Sequence, residues 1–425
     1  MKQYYDNLIY YRRIFRQMAE TGFLEMNTTI ELIRLMKSFG FHVRYGREIH
    51  GHREGMPLKT ELELHASTLN QKEIPFDISD IKLGYTGLIA DFDTKKPGPK
   101  IAFRFDIDAL PIKETAVRDH LPNQLNFRSK DENTCHACGH DAHIAMGIVL
   151  GKYISEHYDM LCGSIRIIFQ PAEEGVHGAK SMMEKGCVDD VDYMVGCHIG
   201  MNEHKDTIGV GTKDFLSTKK FNVTYWGRSA HAANNPEQGR NALLGGASLC
   251  LTLNSLIQYS SSNTKLNIGR FLSGQNRNII AQDCSLEAEV RADHYTTLSD
   301  LWERIVQAVQ GTALSFGLQY RIDVVGEAPD FKTEHPHFES LVNKTLLQQG
   351  FKTDFQPSFN GSEDVTYMLK KVEENGGKSI HFLIGAKLAA PHHNEAFDFN
   401  EDSMFLGFSM FTHLFPIIYT DYSSK

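Results

Sequence analysis

The chain has 425 residues, of which 41% are apolar and 23% charged, the composition of an ordinary globular protein with more than one domain. Its formal net charge of -9 argues against a surface that binds nucleic acid. The seven cysteines form no disulfide framework, which indicates a reducing compartment.

Neither end of the chain has the pattern of a membrane segment. Residues 1–15 lack an apolar signal core. The most apolar stretch, residues 404–419, is interrupted by His413 and Pro416 and is too short to cross a bilayer. We therefore expect a cytoplasmic protein in which residues 404–419 form a buried C-terminal helix.

The N-terminal part has the pattern of helices followed by a loop. Residues 4–40 are helix-rich, with glycines as punctuation, and residues 52–80 are polar and unperiodic. The charged residues Arg12, Arg13 and Glu20 could support a site, but we expect them on the surface. The strand predicted next, residues 100–111, stops at a proline and carries Asp106 and Asp108 near its end.

Acidic residues at the end of a strand can orient metal ligands or cap the following turn. Both roles stay open for Asp106, whereas for Asp108 we favour support of a site. The residues that follow make a site plausible. Residues 135–143 read Cys-His-Ala-Cys-Gly-His-Asp-Ala-His, two thiols and three imidazoles within nine residues. Such groups are the strongest side-chain donors to a transition metal ion.

The periodicity after this cluster predicts a helix that starts near Asp141, so Cys138 lies in the turn before it. The helix dipole favours a thiolate there. A structural zinc knuckle would need a second ligand pair, which the sequence lacks. A redox Cys-x-x-Cys pair and a plain polar loop are the other interpretations, and we favour a metal site over all three.

Three further predicted strands also end next to residues that can bind a metal. Residues 163–169 lead to Glu173 and Glu174, residues 192–198 end on His198, and residues 379–384 precede His393. Strand ends of an open α/β sheet meet in one crevice. Cys138, His140, Glu173, Glu174, His198 and His393 exceed the needs of one catalytic ion and suit two.

A smaller domain interrupts this arrangement. Residues 215–328 contain strand, helix, strand, strand and helix signals, an α+β unit inserted into a catalytic α/β domain formed by residues 1–214 and 329–425. Its residues His231, Asn278 and Arg291 stand out, although spacing alone leaves ordinary surface positions equally open.

The motifs of residues 135–143, 170–175, 198 and 393–394 together resemble the M20 family of metal-dependent amidohydrolases, which includes aminoacylases and carboxypeptidases. Residues 84–109, 188–200, 360–365 and 385–401 bring the chain closest to the branch that hydrolyses p-aminobenzoyl-glutamate. The resemblance covers nearly the whole chain. It implies a catalytic α/β domain with a mainly parallel central sheet and a ferredoxin-like α+β domain that serves as lid and dimerisation surface.

The resemblance also implies roles for single residues. Cys138 would bridge two divalent ions, and Glu173 would be the general base. His140, Glu174, His198 and His393 would complete the ligands, with Asp108 behind them. His231 would stabilise the oxyanion, and Asn278 and Arg291 would hold the carboxylate of the substrate.

The implied reaction is hydrolysis of the amide bond of N-acyl amino acids, with an aroyl-glutamate as the expected substrate. Softness of the thiolate favours zinc, whereas the resemblance favours manganese, which we prefer for activity. A homodimer, or a heterodimer with a related subunit, is expected through the small domain. The alternative functions are a zinc-dependent regulator and a non-catalytic, metal-stabilised partner subunit.

Two positions depart from the family pattern. Ala281 stands where the family usually has proline, which affects the loop near Asn278. Arg16 stands where the family usually has histidine. The second departure leaves open whether the N-terminal helix supports the site.

Overall fold

The computed structural model describes residues 1–69, 74–201 and 204–424, which form two compact units. The larger unit comprises Met1–Lys213, Phe331–Phe359 and Glu363–Lys425. The smaller unit comprises Asp214–Asp330 and Asn360–Ser362. The chain therefore returns briefly to the smaller unit just before Glu363, a crossing that the sequence analysis does not anticipate.

The larger unit is built on one mixed sheet. Its strands are β1 (His42–Tyr45), β2 (Leu88–Asp93), β3 (Lys100–Asp106), β4 (Ser164–Gln170), β5 (Tyr193–Ile199), β6 (Thr207–Val210), β11 (Lys352–Phe355) and β12 (Lys378–Ile384). They lie in the order β1-β2-β4-β3-β5-β12-β6-β11. The central neighbours β4, β3, β5 and β12 are parallel, and β2 and β6 pair antiparallel on either side of them.

Helices cover this sheet. They are α1 (Lys2–Gln17), α2 (Met26–Ser38), α3 (Lys59–Ser67), α4 (Leu121–Gln124), α5 (His140–Glu156), α6 (Gly178–Met183), α9 (Pro336–Gln348), α10 (Val365–Glu374) and α11 (Asp402–Ser423). The central strands are buried almost throughout, as expected of parallel strands that are covered on both faces. The predicted α/β architecture with a mainly parallel sheet is confirmed.

The parallel strands bring their carboxyl ends to one edge of the sheet. Asp106 at the end of β3 pairs in register with Gln170 at the end of β4, and Ile199 of β5 pairs with Ile384 of β12. The loops that carry the predicted ligands leave the sheet at this edge. The fold therefore gathers segments that are far apart in the sequence.

The C-terminal helix α11 belongs to the core. Among the described residues it is the one helix long and apolar enough, by length and composition, to cross a membrane. Phe411 of α11 packs edge-to-face on Phe103 and Phe105 of β3, with ring centroids 5.7 and 5.6 Å apart. The predicted buried helix is confirmed, and its apolar character is explained by packing.

The smaller unit is a four-stranded antiparallel sheet with two helices. Its elements are β7 (Ser217–Trp226), α7 (Ala242–Leu256), β8 (Thr264–Ser273), β9 (Asp283–Ala292), α8 (Tyr295–Phe316) and β10 (Gln319–Ala328). The strand order β10-β7-β9-β8 with this βαββαβ succession is the ferredoxin-like arrangement. Strand β10 is absent from the sequence prediction, because its outer half is polar and exposed and shows no clear alternation.

One expectation about α1 and the residues after it is wrong. Arg12 is fully buried and Glu20 is 5% exposed, whereas both are expected on the surface. Each is compensated by partners that are distant in sequence or in the following helix. Arg12 contacts Asp141 and Asp398, and Glu20 accepts hydrogen bonds from the backbone N–H groups of Asn27 and Thr28.

The packing of Phe411 yields a stability prediction. We expect Phe411→Ala to destabilise the larger unit by about 3–5 kcal/mol, because it leaves a cavity against two strand phenylalanines. Leu347→Ala, at a half-exposed position of α9, is the control and should change stability by less than about 0.5 kcal/mol.

Urea unfolding followed by far-UV circular dichroism measures this change. Both tryptophans, Trp226 and Trp302, lie in the smaller unit, so their fluorescence reports that unit alone. A Phe411→Ala protein that unfolds at the same urea concentration as the Leu347→Ala protein would contradict the packing.

Candidate metal centre

Residues from four segments meet at the carboxyl edge of the large sheet. Cys138 stands just before α5, and His140 is the first residue of that helix. Between them, Gly139 adopts φ 94°, and a Cβ at this position would lie 2.6 Å from a methyl group of Ile199. Glycine is therefore required both for the backbone conformation and for the close approach to β5. His198 comes from β5 itself, which explains why the turn must lie so close to that strand.

Two groups of potential ligands share Cys138. In one, donor atoms of Cys138, His140 and His198 lie within 4.8 Å of one another. In the other, donor atoms of Cys138, Glu174 and His393 satisfy the same limit. The Cys138 sulfur is 3.5 Å from His198 Nε2, and His393 Nε2 is 3.2 Å from Glu174 Oε2. One sulfur with a triad on each side is the arrangement expected for two neighbouring cations.

Hydrogen bonds set the ring nitrogens of the two buried histidines. His140 Nδ1 lies 2.9 Å from the carbonyl oxygen of Asp108, which can only accept, so Nδ1 carries the proton. His198 Nδ1 stands in the same relation to the carbonyl oxygen of Ile199, at 2.9 Å. Each ring therefore presents the lone pair of Nε2, the state that a metal ligand needs.

The lone pair of His140 is the clearest sign that the residues fit a cation. His140 Nε2 is buried and has no hydrogen-bond partner among the described residues. It lies 3.8 Å from Glu174 Oε1 and 4.0 Å from Glu173 Oε2, too far for a hydrogen bond. Buried polar atoms are normally satisfied, so an unpartnered nitrogen facing two carboxylates calls for an ion between them.

The thiol supports the same conclusion. Burial and the neighbouring Glu174 raise the pKa of Cys138 well above its usual value. A thiolate at this position therefore needs cations beside it, as a coordinated thiol has. The fit of Cys138, His140, Glu174, His198 and His393 to a divalent metal pair rests on this chemistry together with the orphan nitrogen.

Asp108 connects two of the potential ligands. Its carbonyl oxygen accepts from His140, and its Oδ2 accepts from the backbone N–H of Glu174 at 3.0 Å. The acidic loop is held from its other side by Glu25, which accepts from the N–H of Ala172 at 2.8 Å. Ala172 adopts φ 54°, a conformation that L residues rarely take, so this loop requires such anchors.

Asp106 and His143 form a supporting pair behind the ligands. The Nδ1 of His143 bonds to Asp106, and its Nε2 accepts from the N–H of Ile199 at 3.0 Å. Both ring nitrogens of His143 are therefore occupied by protein. Although Asp106, His140 and His143 also lie within 4.8 Å of one another, hydrogen bonding explains that group without an ion. The role left open for Asp106 is filled by this contact.

Arg104 lies beneath Asp106 and is fully buried. Its guanidinium donates to Asp106 at 2.7 Å, to Glu363 at 2.6 Å and to Asp364 at 3.0 Å. Burial alone would raise the pKa of Asp106, but His140, His143 and Arg104 outweigh it and hold that pKa well below its usual value. Asp106 is therefore a fixed anion that orients His143.

Glu173 has the environment of a general base. It is 6% exposed, and burial together with the carboxyl groups of Asp364 and Glu174 raises its pKa well above the usual value. A raised pKa makes a carboxylate a better proton acceptor near neutral pH. Burial also raises the pKa of Asp364, to about 7, against the opposing effect of Arg104.

Sequence reasoning assigned no function to Arg104, His143, Glu363 or Asp364. Two signals were available for them. An arginine in the middle of an apolar strand needs buried partners, and Glu363 and Asp364 are adjacent carboxylates within a motif that the resemblance singles out. Neither signal identifies which residues meet.

In the smaller unit, the structure brings His231 and Asn278 together. The N–H of Ala232 donates to the carbonyl oxygen of Asn278 at 3.0 Å, and His231 forms a bridge with Ile279. His231 Nδ1 accepts from the N–H groups of Ala233 and Asn234 at 3.2 and 3.1 Å. The proton of the neutral ring is therefore on Nε2, which makes His231 a donor.

Arg291 lies elsewhere in that unit. It stands near the end of β9, where it pairs with Glu289 at 3.0 Å, whereas Asn278 precedes the start of β9. The strand between Asp283 and Arg291 spans about 26 Å at roughly 3.3 Å per residue. The expected joint contact of Asn278 and Arg291 with one carboxylate is therefore not available within a single chain.

Comparisons with known proteins bear on the whole chain. The profile of peptidase family M20/M25/M40 matches residues 102–416. The p-aminobenzoyl-glutamate hydrolase homolog of Haemophilus influenzae is 34% identical over 420 residues, covering 96% of this chain and 97% of that protein. The indole-3-acetyl-aspartic acid hydrolase of Enterobacter agglomerans is 33% identical over 412 residues, covering 95% and 94%.

Among solved structures, the aminobenzoyl-glutamate utilization protein of Klebsiella pneumoniae has the same fold. It matches with a TM-score of 0.82 at 27% sequence identity, and the match covers 97% of this chain and 96% of that chain. Agreement extends over both units of the present structure.

The shared sulfur leads to a prediction about metal stoichiometry. We expect the wild-type protein to bind two divalent ions, His198→Ala and His393→Ala to retain one each, and Cys138→Ala to bind both weakly, because only Cys138 belongs to both triads. Elemental analysis after equilibrium dialysis measures the bound ions. Retention of one full equivalent by Cys138→Ala, with the affinity found in either histidine variant, would show that the sulfur serves one ion only.

Proposed function

The chain belongs to peptidase family M20/M25/M40 and is a hydrolase of amide bonds in N-acyl amino acids; on this premise we propose that its substrate is an aroyl-glutamate. The observation that carries the mechanism is the shared position of Cys138 between two triads, next to the buried carboxyl of Glu173. Family and ligand groups together support divalent metal ions at this site.

We propose that two ions are held by Cys138, with His140 and His198 on one side and Glu174 and His393 on the other. Bound there, they would supply Lewis-acid activation of water and of the amide carbonyl. For activity we propose manganese, with zinc as a second possible occupant. The thiolate and imidazoles would also suit zinc.

Residues of the chain handle the protons. Glu173 takes a proton from the attacking water and later delivers it to the nitrogen of the leaving amino acid. Its carboxyl is buried among other carboxyls, which strengthens it as a base. His231, whose Nε2 carries the ring proton, is the proposed donor to the developing oxyanion.

The proposed substrate rests on the relatives. One is named for p-aminobenzoyl-glutamate and another for indole-3-acetyl-aspartic acid, so both names contain an aromatic acyl group and an acidic amino acid. Asn278 stays the proposed ligand of the substrate carboxylate, beside His231. Arg291 could join it only if a second protomer supplied it.

We further propose a dimer formed through the smaller unit. Strand β8 is the outer strand of its sheet and carries the exposed side chains of Phe271 and Leu272. Helix α7 exposes Leu244 and Leu251, the latter by 78%. A second copy pairing along β8 would satisfy its free backbone groups and cover these apolar side chains.

A non-catalytic partner subunit is not the favoured function. The relatives that match the full length are named as hydrolases, and the carboxyl of Glu173 is in place. We also propose a cytoplasmic location. All seven cysteines lie in described parts of the chain and are free, as in a reducing compartment.

The base assignment can be tested directly. We expect Glu173→Gln to lower kcat on p-aminobenzoyl-glutamate about 10²–10⁴-fold while two ions remain bound, because the amide cannot accept the proton of water. Glu132→Gln, at an exposed position, is the matched control and should keep wild-type activity. Full activity in a metal-loaded Glu173→Gln protein would refute the assignment.

The substrate is tested with a panel of p-aminobenzoyl-glutamate, indole-3-acetyl-aspartate and hippurate, each with manganese and with zinc. We expect the highest kcat/KM for the first substrate with manganese. Activity that appears only after a second polypeptide is added would show that the native assembly is a heterodimer. Hydrolysis of none of the three by the metal-loaded chain, alone or with such a partner, would contradict the proposed substrate class.

The dimer surface yields a separate test. We expect Leu251→Glu combined with Leu272→Glu to convert a dimer into a monomer, because two buried carboxylates would face an apolar interface. Light scattering coupled to gel filtration measures the mass. Leu314→Glu, at an 85% exposed position of α8, is the control. A double variant that stays dimeric would place the interface on another surface.

A further inference from the structure

Helix α1 sends two guanidinium groups into the interior of the larger unit. Arg12 and Arg16 are both fully buried and lie one helical turn apart. Both contact Asp141 Oδ2, Arg12 through Nε at 3.2 Å and Arg16 through Nη1 at 3.3 Å. Asp141 directly follows the potential ligand His140. The cations of α1 therefore converge on the start of α5, immediately beside the candidate metal centre.

Arg16 also contacts the two backbone segments that carry Cys138 and His393. Its Nη1 donates to the carbonyl oxygen of His136 at 3.4 Å, in the turn that precedes Cys138. Its Nη2 donates to the carbonyl oxygen of Phe397 at 2.6 Å, in the loop that contains His393. A single guanidinium thus spans the gap between these two segments.

The loop of His393 requires such support. His393 adopts φ 63°, a conformation costly for a residue with a side chain, and its ring is 55% exposed. One backbone hydrogen bond, from the N–H of His393 to the carbonyl oxygen of Ala137 at 2.8 Å, joins the loop to the Cys138 turn. Arg16 provides a second connection between the same two segments.

The guanidinium is itself fixed in place. Its Nε and Nη2 donate to Glu114 at 2.9 and 2.7 Å, and Glu114 accepts in addition from His120 and from the N–H of Ser129. Arg16 therefore serves four acceptor groups with one planar fork. Lysine has a single nitrogen, and histidine, the usual family residue at this position, has two, so neither can reproduce all four contacts.

We propose that Arg16 is a positioning residue that holds the Cys138 turn and the His393 loop in register, so that both can grip the same ion. The inference rests on the proposed two-ion site. It predicts an asymmetric effect. Losing Arg16 should weaken the ion held by Cys138, Glu174 and His393 more than the ion held by Cys138, His140 and His198, because His393 alone lies on the loop that is released.

The test measures metal binding by calorimetry on the metal-free full-length protein, titrated with manganese and no substrate. We expect Arg16→Gln to weaken one of the two ions by about 10–100-fold, the usual effect of removing a partner that orients a ligand. The other ion should keep the affinity of the single ion retained by His393→Ala. Arg13→Gln is the control, since Arg13 stands on the same helix but pairs with Glu401 near the surface.

Two conservative variants separate positioning from general stability. Arg16→Lys keeps a buried charge and Arg16→His installs the usual family residue. We expect both to fold, by circular dichroism, and still to weaken the same ion, with Arg13→Gln within about twofold of wild type. Wild-type affinity for both ions in folded Arg16→Lys and Arg16→His, or an equal loss of both ions, would overturn the inference.

Failure of the proposed function is recognised separately. If the wild-type protein binds two ions but hydrolyses no N-acyl amino acid, the function is wrong and the role of Arg16 is still decided by the calorimetry. If the wild-type protein binds no second ion, both the two-ion site and the inference fall together.

Discussion

The position of one sulfur atom constrains the rest of this structure. Cys138 can contribute to two triads only if the start of α5 lies against the end of β5, and Gly139 permits that approach because it has no side chain. The remaining ligands arrive from the loops that follow β4 and β12, at the same edge of the sheet. A thiol that burial keeps protonated becomes a useful thiolate only where cations share it. Parallel strand order and metal chemistry therefore impose the same geometry.

A buried set of charges surrounds this centre on two sides. Beneath it, Arg104 links the acid that orients His143 to the two carboxyl groups near Glu173. Beside it, Arg12 and Arg16 enclose Asp141. Burying so many ions is costly unless each one is paired and hydrogen-bonded. Here the pairing also fixes the ring orientation of the ligands and the basicity of Glu173, so the charges that burden the fold are the ones that prepare the site.

Much of the site could be predicted from residue type and order. Donor residues at the ends of strand-like runs identified Cys138, Glu174, His198 and His393 as a set, because strand ends of an α/β sheet converge. The supporting residues could not be predicted in this way. His143 has the same chemistry as His140, and only the contact with Asp106 and Ile199 separates a supporting ring from a ligand. Arg12 was assigned to the surface because its acidic partners lie far along the chain.

The most direct test of the account is a crystal structure of the manganese-loaded protein with anomalous diffraction data. The account predicts two anomalous peaks about 3.5–4 Å apart, both in contact with the sulfur of Cys138. One peak is expected beside His140 and His198 and the other beside Glu174 and His393. A single peak, or two peaks of which one lies away from Cys138, would contradict the shared-sulfur site on which the proposed hydrolase mechanism depends.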